Sequence, residues 1–194
     1  MVKRLFDIMA SLVFLCTLFP FLYIIIGIAI KTTSRGPVLF KQQRHGKEGR
    51  VFICLKFRTM KLNNEADILQ ATGNDKRLTS IGGFLRKASL DELPQFINVL
   101  KGDMSIVGPR PHMLHHTEMY SRLIPGYMQR LAVKPGITGL SQILGYRGET
   151  PAVEDMERRV RLDLWYIRHC SFRLDMWVFL RTSSAFLSLK TNHK

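Results

Sequence analysis

Residues 8–30 read IMASLVFLCTLFPFLYIIIGIAI, twenty-three residues without a charge. At about 1.5 Å per residue, one helix over this stretch reaches roughly 35 Å, enough to cross a bilayer core. The apolar run is too long for a cleavable leader, and no small-x-small cleavage site precedes the basic region that follows. It reads as a retained membrane element. Pro20 interrupts it near the middle, where it removes a backbone N–H and crowds the preceding turn. Both flanks are basic: Lys3 and Arg4 before, Lys31 and Arg35 after, with nine Lys/Arg against one acid, Glu48, over residues 31–61. Two readings stand on residues alone. One is a kinked spanning helix. The other is a re-entrant hairpin with both ends on the cytoplasmic side and arms of roughly 17 Å, which suits the charge distribution.

The rest of the chain supports one further unit. With 194 residues, a formal net charge of +14 and 46% hydrophobic residues, it is neither a disordered basic tail nor two full-sized domains. The charge points to a polyanion: nucleic acid, a phosphorylated metabolite or an anionic membrane surface. Three scattered cysteines, Cys16, Cys54 and Cys170, exclude a disulfide scaffold and a Cys-rich zinc site, and suit a reducing compartment. We divide the chain into a membrane anchor, residues 1–35, and a cytosolic-face domain, residues 36–194. The expected fold class is α+β and helix-rich, with a small β element and surface amphipathic helices.

Local patterns place the elements. Residues 37–60 carry two β-like runs around a basic Gly-containing turn at 44–49. A short helix and a loop are expected over Asn63–Arg77. Short helices follow at 81–88 and 94–101, the second stopped by Gly102. Residues 112–131 read as helical with an interruption at Pro125-Gly126, and PGITGL at 135–140 as a turn leading into a strand. Thr150 and Pro151 suit the cap and first position of a long helix to His169, with Val153, Met156, Val160, Leu164 and Ile167 on one face. Residues 174–189 either lie on a membrane surface or pack on the core.

The densest polar cluster is RKASLDELPQ at 86–95. Pro94 suits a first helical position, which sets Asp91 and Glu92 just ahead of a helix start, where backbone N–H groups favour anions. Arg86 and Lys87 are expected to depress a carboxylate there. An ionised Asp91 is a candidate nucleophile, and Asp91 with Glu92 a candidate Mg2+ pair, since Mg2+ binds phosphates through one or two carboxylates. The competing reading is a capping box, Ser89-x-x-Glu92, though Pro94 would then fall inside the helix. In Gly108-Pro109-Arg110-Pro111, two prolines pre-order a guanidinium suited to phosphate, or simply form a surface turn. Lys56 and Arg58, two apart in a strand, are expected to share a face as a cationic wall. Lys134 and Arg147, beside glycine turns, extend the phosphate-binding set. The six histidines show no metal spacing. Mononucleotide loop, dinucleotide fingerprint, Ser-His-Asp signature and nucleic-acid motifs are missing, so nucleic acid is not an expected partner.

Motifs along nearly the whole chain resemble the bacterial sugar transferase family, the monotopic phosphoglycosyl transferases. They are KRLFDIMAS at 3–11, GPVLFKQQRHG at 36–46, KFRTM at 56–60, LRKASLDELPQFINVLKGDMSIVGPRP at 85–111 and KPGITGL at 134–140. GPRPH and GYRGET at 145–150 are most similar to its undecaprenyl-phosphate glucose-1-phosphate transferase branch. The resemblance implies transfer of a sugar-1-phosphate from a UDP-sugar to undecaprenyl phosphate with release of UMP. It makes Asp91 the nucleophile that becomes a covalent phosphosugar, Glu92 its Mg2+ partner, Arg86 and Arg110 phosphate contacts, and Pro20 the break of a re-entrant helix. It also implies residence in the bacterial cytoplasmic membrane, an active site on the cytoplasmic face among anionic lipids, and a start to exopolysaccharide, capsule or glycoconjugate synthesis. Glucose is the expected sugar, with galactose or an N-acetylated sugar as alternatives, and a homo-oligomer stays open. A different class, a membrane-tethered polyanion binder without catalysis, remains the rival. The chain departs from the family where Phe19 precedes the proline in place of Ser, and at Leu140-Ser141, where the branch usually has Trp-Ala.

Overall fold

The computed structural model describes residues 2–62 and 75–188. The chain opens with α1 (Val2–Cys16) and α2 (Leu18–Thr33), bent against each other by 56°. The break falls at Thr17, three residues ahead of Pro20. Pro20 has no N–H for the carbonyl of Cys16, and its ring crowds that same carbonyl four residues back. The helix therefore stops there and restarts with Pro20 inside the first turn of α2, where no N–H is needed. The Thr17 hydroxyl and amide both donate to the Val13 carbonyl, at 2.7 and 3.0 Å. That hydroxyl sits two residues before Phe19, which instead packs its ring against Phe14, Tyr23 and Phe57.

Among the described residues no single helix is long and apolar enough to cross a membrane; the bent pair passes only together, by length and composition. Its arms, 15 and 16 residues long, measure about 22 and 24 Å at ~1.5 Å per residue. The burial pattern of α1 is inverted relative to a helix in water. Its buried residues are Asp7 and Ser11, while Leu5, Met9, Leu12 and Val13 are exposed. On α2, Phe21, Ile24, Ile25 and Ile28 are exposed as well. A continuous apolar face of this kind marks a lipid or partner surface.

The start of α1 is tied into the rest of the molecule. Lys3 pairs with Asp175 at 2.6 Å and donates to the Val107 carbonyl. Arg4 donates to the carbonyls of Val99 and Leu100 at 2.7 and 3.0 Å, capping a helix end. Asp7 accepts the Ile106 amide at 3.0 Å. Lys3 and Arg4, read from sequence as flanking charges, thus serve as internal clasps.

The expected hairpin is present: β1 (Leu39–His45) pairs antiparallel with β2 (Val51–Phe57), from Leu39 opposite Phe57 to His45 opposite Val51. Next come α3 (Ser80–Lys87), α4 (Gln95–Lys101), β3 (Ser105–Val107), α5 (Leu114–Leu123), β4 (Gly136–Thr138), α6 (Leu140–Ile143), α7 (Val153–His169) and α8 (Phe172–Ser188). Strands β3 and β4 pair in parallel. Thr79 caps α3 by accepting the Gly82 amide at 3.0 Å, and Gly102 closes α4 in the left-handed conformation, as expected from Lys101-Gly102. The helix expected within Asn63–Arg77 lies for the most part, at 63–74, outside the described residues.

The principal core joins Phe52 and Cys54 of β2, Val99, Met104, Ile106, Val107, Leu140, Tyr166 and Val178. A second cluster packs Ile26 and Ile30 of α2 on Phe57 and Leu85, fixing the second arm to the hairpin and α3. One helix expectation changes. Helix α7 starts at Val153, so Thr150-Pro151 precede it rather than cap it. Of the expected face, Met156 and Val160 are buried and Leu164 and Ile167 pack partly buried on the core clusters, while Val153 is exposed; Arg159, Asp163 and Tyr166 are buried alongside. Of the two expectations for helix α8, packing on the core is the one the structure shows. Asp175 and Val178 are buried, while Phe172, Trp177 and Leu180 face outward.

Candidate active site

Asp91 and Glu92 lie in a single 3-10 turn, Leu90–Glu92, between α3 and α4. Ser89 enters it in the left-handed conformation, with φ of 58°, and Pro94 at φ of −62° opens α4. This rejects the capping box. The Ser89 side chain caps no amide there, and Glu92 points elsewhere. Instead Glu92 receives a guanidinium fork from Arg110, at 2.6 and 3.1 Å, and the ammonium of Lys56 at 2.8 Å. These cations come from the loop after β3 and from β2, so three separated segments converge on one carboxylate.

Asp91, beside it, is 7% exposed, and among the described residues its carboxyl takes no hydrogen bond or ion pair. The pair is therefore electrostatically split. For Glu92, burial works against ionisation, but Arg110 and Lys56 outweigh it and hold the carboxyl well below its ordinary value. For Asp91, burial and then the neighbouring Glu92 charge push the pKa up, against Lys56, Arg86 and Arg110. The expectation of a depressed Asp91 is corrected. The cations engage its neighbour, and Lys87 is exposed and takes no part. An unpartnered, buried, more basic carboxyl is a stronger nucleophile once ionised than one already neutralised by a guanidinium.

Arg86 belongs to the cluster: its Nε donates to Thr59 Oγ1 at 2.8 Å and its charge acts on Asp91. Arg147, reaching in from the loop before α7, donates to the Ser89 hydroxyl and acts electrostatically with Glu92 and Asp91. Arg58 and Lys134 are not brought here. Arg58 follows the end of β2 and turns away from Lys56, donating to the Pro37 carbonyl at 2.6 Å and to Ser34 Oγ and O at 2.7 and 3.0 Å. It clasps the end of α2, so the expected cationic wall does not form. Lys134 lies by Gly102 and Arg4 at the far end of α4.

Sequence reasoning missed a buried layer behind Arg110. It comprises Arg130, Asp163, Ser141, His112 and Tyr127, all under 7% exposed. The available signal was Asp163 lying three residues past Val160 and seven past Met156, on the apolar face of α7.

No group of three or more His, Cys, Asp or Glu able to hold a metal occurs among the described residues. Asp91 and Glu92 still fit the one or two protein carboxylates that Mg2+ uses alongside substrate phosphates and water.

Residues 1–189 match the family model described as bacterial sugar transferase. The chain is 53% identical over 181 residues to the UDP-glucose:undecaprenyl-phosphate glucose-1-phosphate transferase of Klebsiella pneumoniae, covering 93% of this chain and 39% of that protein. It is 51% identical over 190 residues to the Escherichia coli protein of the same name, covering 97% and 41%. It is 43% identical over 185 residues to the exopolysaccharide production protein PSS of Rhizobium leguminosarum bv. phaseoli, covering 93% and 92%. The chain thus spans about two-fifths of the first two relatives and nearly all of the third. With a family match running through the anchor, the Asp91-Glu92 turn and the Arg110 loop alike, this chain belongs to the bacterial sugar transferase family.

Proposed function

We propose that this chain transfers glucose-1-phosphate from UDP-glucose to undecaprenyl phosphate and releases UMP. The carrying observation is Asp91, buried and without a hydrogen-bond or ion-pair partner among the described residues, beside a Glu92 whose charge Arg110 and Lys56 already offset. An Asp91 carboxylate oxygen attacks the β-phosphorus of UDP-glucose. The bond from that phosphorus to the bridging oxygen breaks, and UMP leaves with the bridging oxygen and its electron pair. A phosphate oxygen of the lipid then attacks the same phosphorus, and the Asp91 carboxylate departs. Undecaprenyl diphosphate glucose is the product. One anionic-substrate pocket serves both half-reactions in turn. Arg86, Arg110 and Arg147 place positive charge where the diphosphate and UMP develop negative charge. Asp91 and Glu92 would hold Mg2+, which would supply further charge offset there.

We place the bent helix pair in the cytoplasmic membrane as a re-entrant hairpin, with the Asp91 turn on the cytoplasmic side at headgroup level among anionic lipids. The inverted burial of α1 and the basic run over residues 31–61 support this. The test is UMP release with undecaprenyl phosphate and Mg2+ across UDP-glucose, UDP-galactose and UDP-N-acetylated sugars, with protein labelling from β-phosphate-labelled donor. UDP-glucose is expected to give the highest rate, and Asp91→Asn to lose both turnover and label. Undiminished labelling of Asp91→Asn removes that residue from its role. Absence of UMP from every donor leaves the polyanion-binding reading.

A further inference from the structure

Pro109, Arg110 and Pro111 present three consecutive carbonyls, and each is held by a different element. The Gly136 amide of β4 donates to Pro109 at 2.9 Å, Arg130 to Arg110 at 2.8 Å, and Arg44 of β1 to Pro111 at 2.9 Å. Two prolines leave this segment short of backbone donors, so its carbonyls are the handles by which it can be fixed. Arg130 is the holder that acts on the residue carrying the Glu92 fork.

Arg130 is itself fixed from below. Its Nη2 and Nε donate to Asp163 Oδ2 at 2.6 and 3.2 Å, and Ser141 donates to Asp163 Oδ1 at 3.0 Å. Arg130 and Asp163 are 3% and 1% exposed. The Tyr127 ring lies 5.3 Å from the guanidinium, and the Tyr127 hydroxyl meets Nδ1 of His112, two residues past Arg110, at 2.5 Å. A buried ion pair contributes little net stability compared with well-packed apolar side chains. Its placement behind Arg110 gives it a different use: one guanidinium bonds both a fixed carboxylate on α7 and the peptide of Arg110.

We propose that Arg130, anchored by Asp163, is a positioning residue that sets the Arg110 fork on Glu92 and so the charge beside Asp91. The kinetic arm of its test rests on the proposed transfer reaction; the thermal arm rests on geometry alone. The full chain is prepared with Arg130→Met, and with Arg130→Lys as the milder variant that keeps the charge, each in the wild-type and Arg110→Lys backgrounds. In the wild-type background Arg130→Met is expected to lower kcat for UMP release by about 100-fold, the scale of an ångström-level misplacement, with KM for UDP-glucose changed less than about threefold. With Arg110→Lys already present, the further loss is expected to be under about threefold, and Arg130→Lys to show the same pattern at smaller amplitude. Equal losses in both backgrounds would mean fewer folded molecules rather than a displaced fork, and would overturn the assignment. The second arm melts Arg130→Met, Glu92→Gln and the double variant. Non-additive shifts in melting temperature support the coupling, and additive shifts overturn it. A wild-type chain that releases no UMP from any donor removes the proposed reaction, and the melting cycle then decides the coupling by itself.

Discussion

Replacing Arg110 by Met tests the electrostatic core of the site without a substrate. The change removes two hydrogen bonds and one full charge from a Glu92 side chain that is 7% exposed, with Arg110 itself 22% exposed. Deleting one partner of a buried pair costs about 3–5 kcal/mol, and Lys56 at 2.8 Å keeps the loss at the lower end, about 3 kcal/mol. For a chain of this size that is about 6–12 °C in melting temperature near pH 7. The pH dependence gives the sharper prediction. In the wild type Glu92 is held well below its ordinary value, so its stabilisation is complete above the unfolded pKa and is lost only as pH falls through the folded one. In the variant, burial opposes only Lys56, and the folded pKa of Glu92 rises. The unfolded chain then loses its excess of bound protons, and the variant gains relative to wild type on acidification. Melting curves from about pH 7 down to about pH 3.5 should show the gap shrinking as pH drops through and below the ordinary carboxylate range. A gap that stays constant over that range, or no gap at pH 7, would refute the reasoning.

Other perturbations separate the remaining elements. Pro20→Ala restores an amide donor one turn past the Cys16 carbonyl and is expected to reduce the 56° bend. A cysteine at position 2, in a chain with Cys16 and Cys170 replaced by Ser, reads this as altered labelling by a membrane-impermeant maleimide in oriented vesicles. Arg58→Ala removes three bonds to Ser34 and Pro37 and should lower stability by about 2–3 kcal/mol while leaving KM for UDP-glucose unchanged. A large rise in KM instead would return Arg58 to the phosphate site. Gly82→Ala places a methyl 1.9 Å from the Thr59 carbonyl, so α3 must move away from the segment after β2 whose Thr59 hydroxyl holds Arg86. A melting temperature close to wild type would count against that close approach.

Much of this was readable from single residues, because the responsible signals are local. Pro94 marked the helix start that leaves Asp91 and Glu92 in a turn, Gly102 marked the stop, and the β-like run VFICLKF at 51–57 gave the second strand of the hairpin. The break at Thr17 was misplaced by three residues because a proline acts on the carbonyl four positions back, and Pro20 settles into the first turn of the next helix. Arg58 was misassigned because β2 ends at Phe57, so the alternation of faces that grouped it with Lys56 no longer applies. The order of the two carboxyl pKa values was out of reach. It depends on Arg110, 18 residues from Glu92, and on Lys56, 36 residues away. The Arg130–Asp163 layer likewise joins segments 33 residues apart, and no short-range pattern specifies such a pairing.

The clasps at Lys3, Arg4 and Asp7 have a mechanical consequence. They bind the first two turns of α1 to β3, α4 and α8, so the helical prong and the reaction centre have no swivel between them. In the membrane placement proposed above, a shift in the seating of the prong is transmitted as a tilt of the entire body, which raises or lowers the Asp91 carboxyl relative to the lipid phosphates. Turnover should accordingly respond to acyl-chain length in reconstituted vesicles, and cutting the Lys3–Asp175 tether should flatten that response.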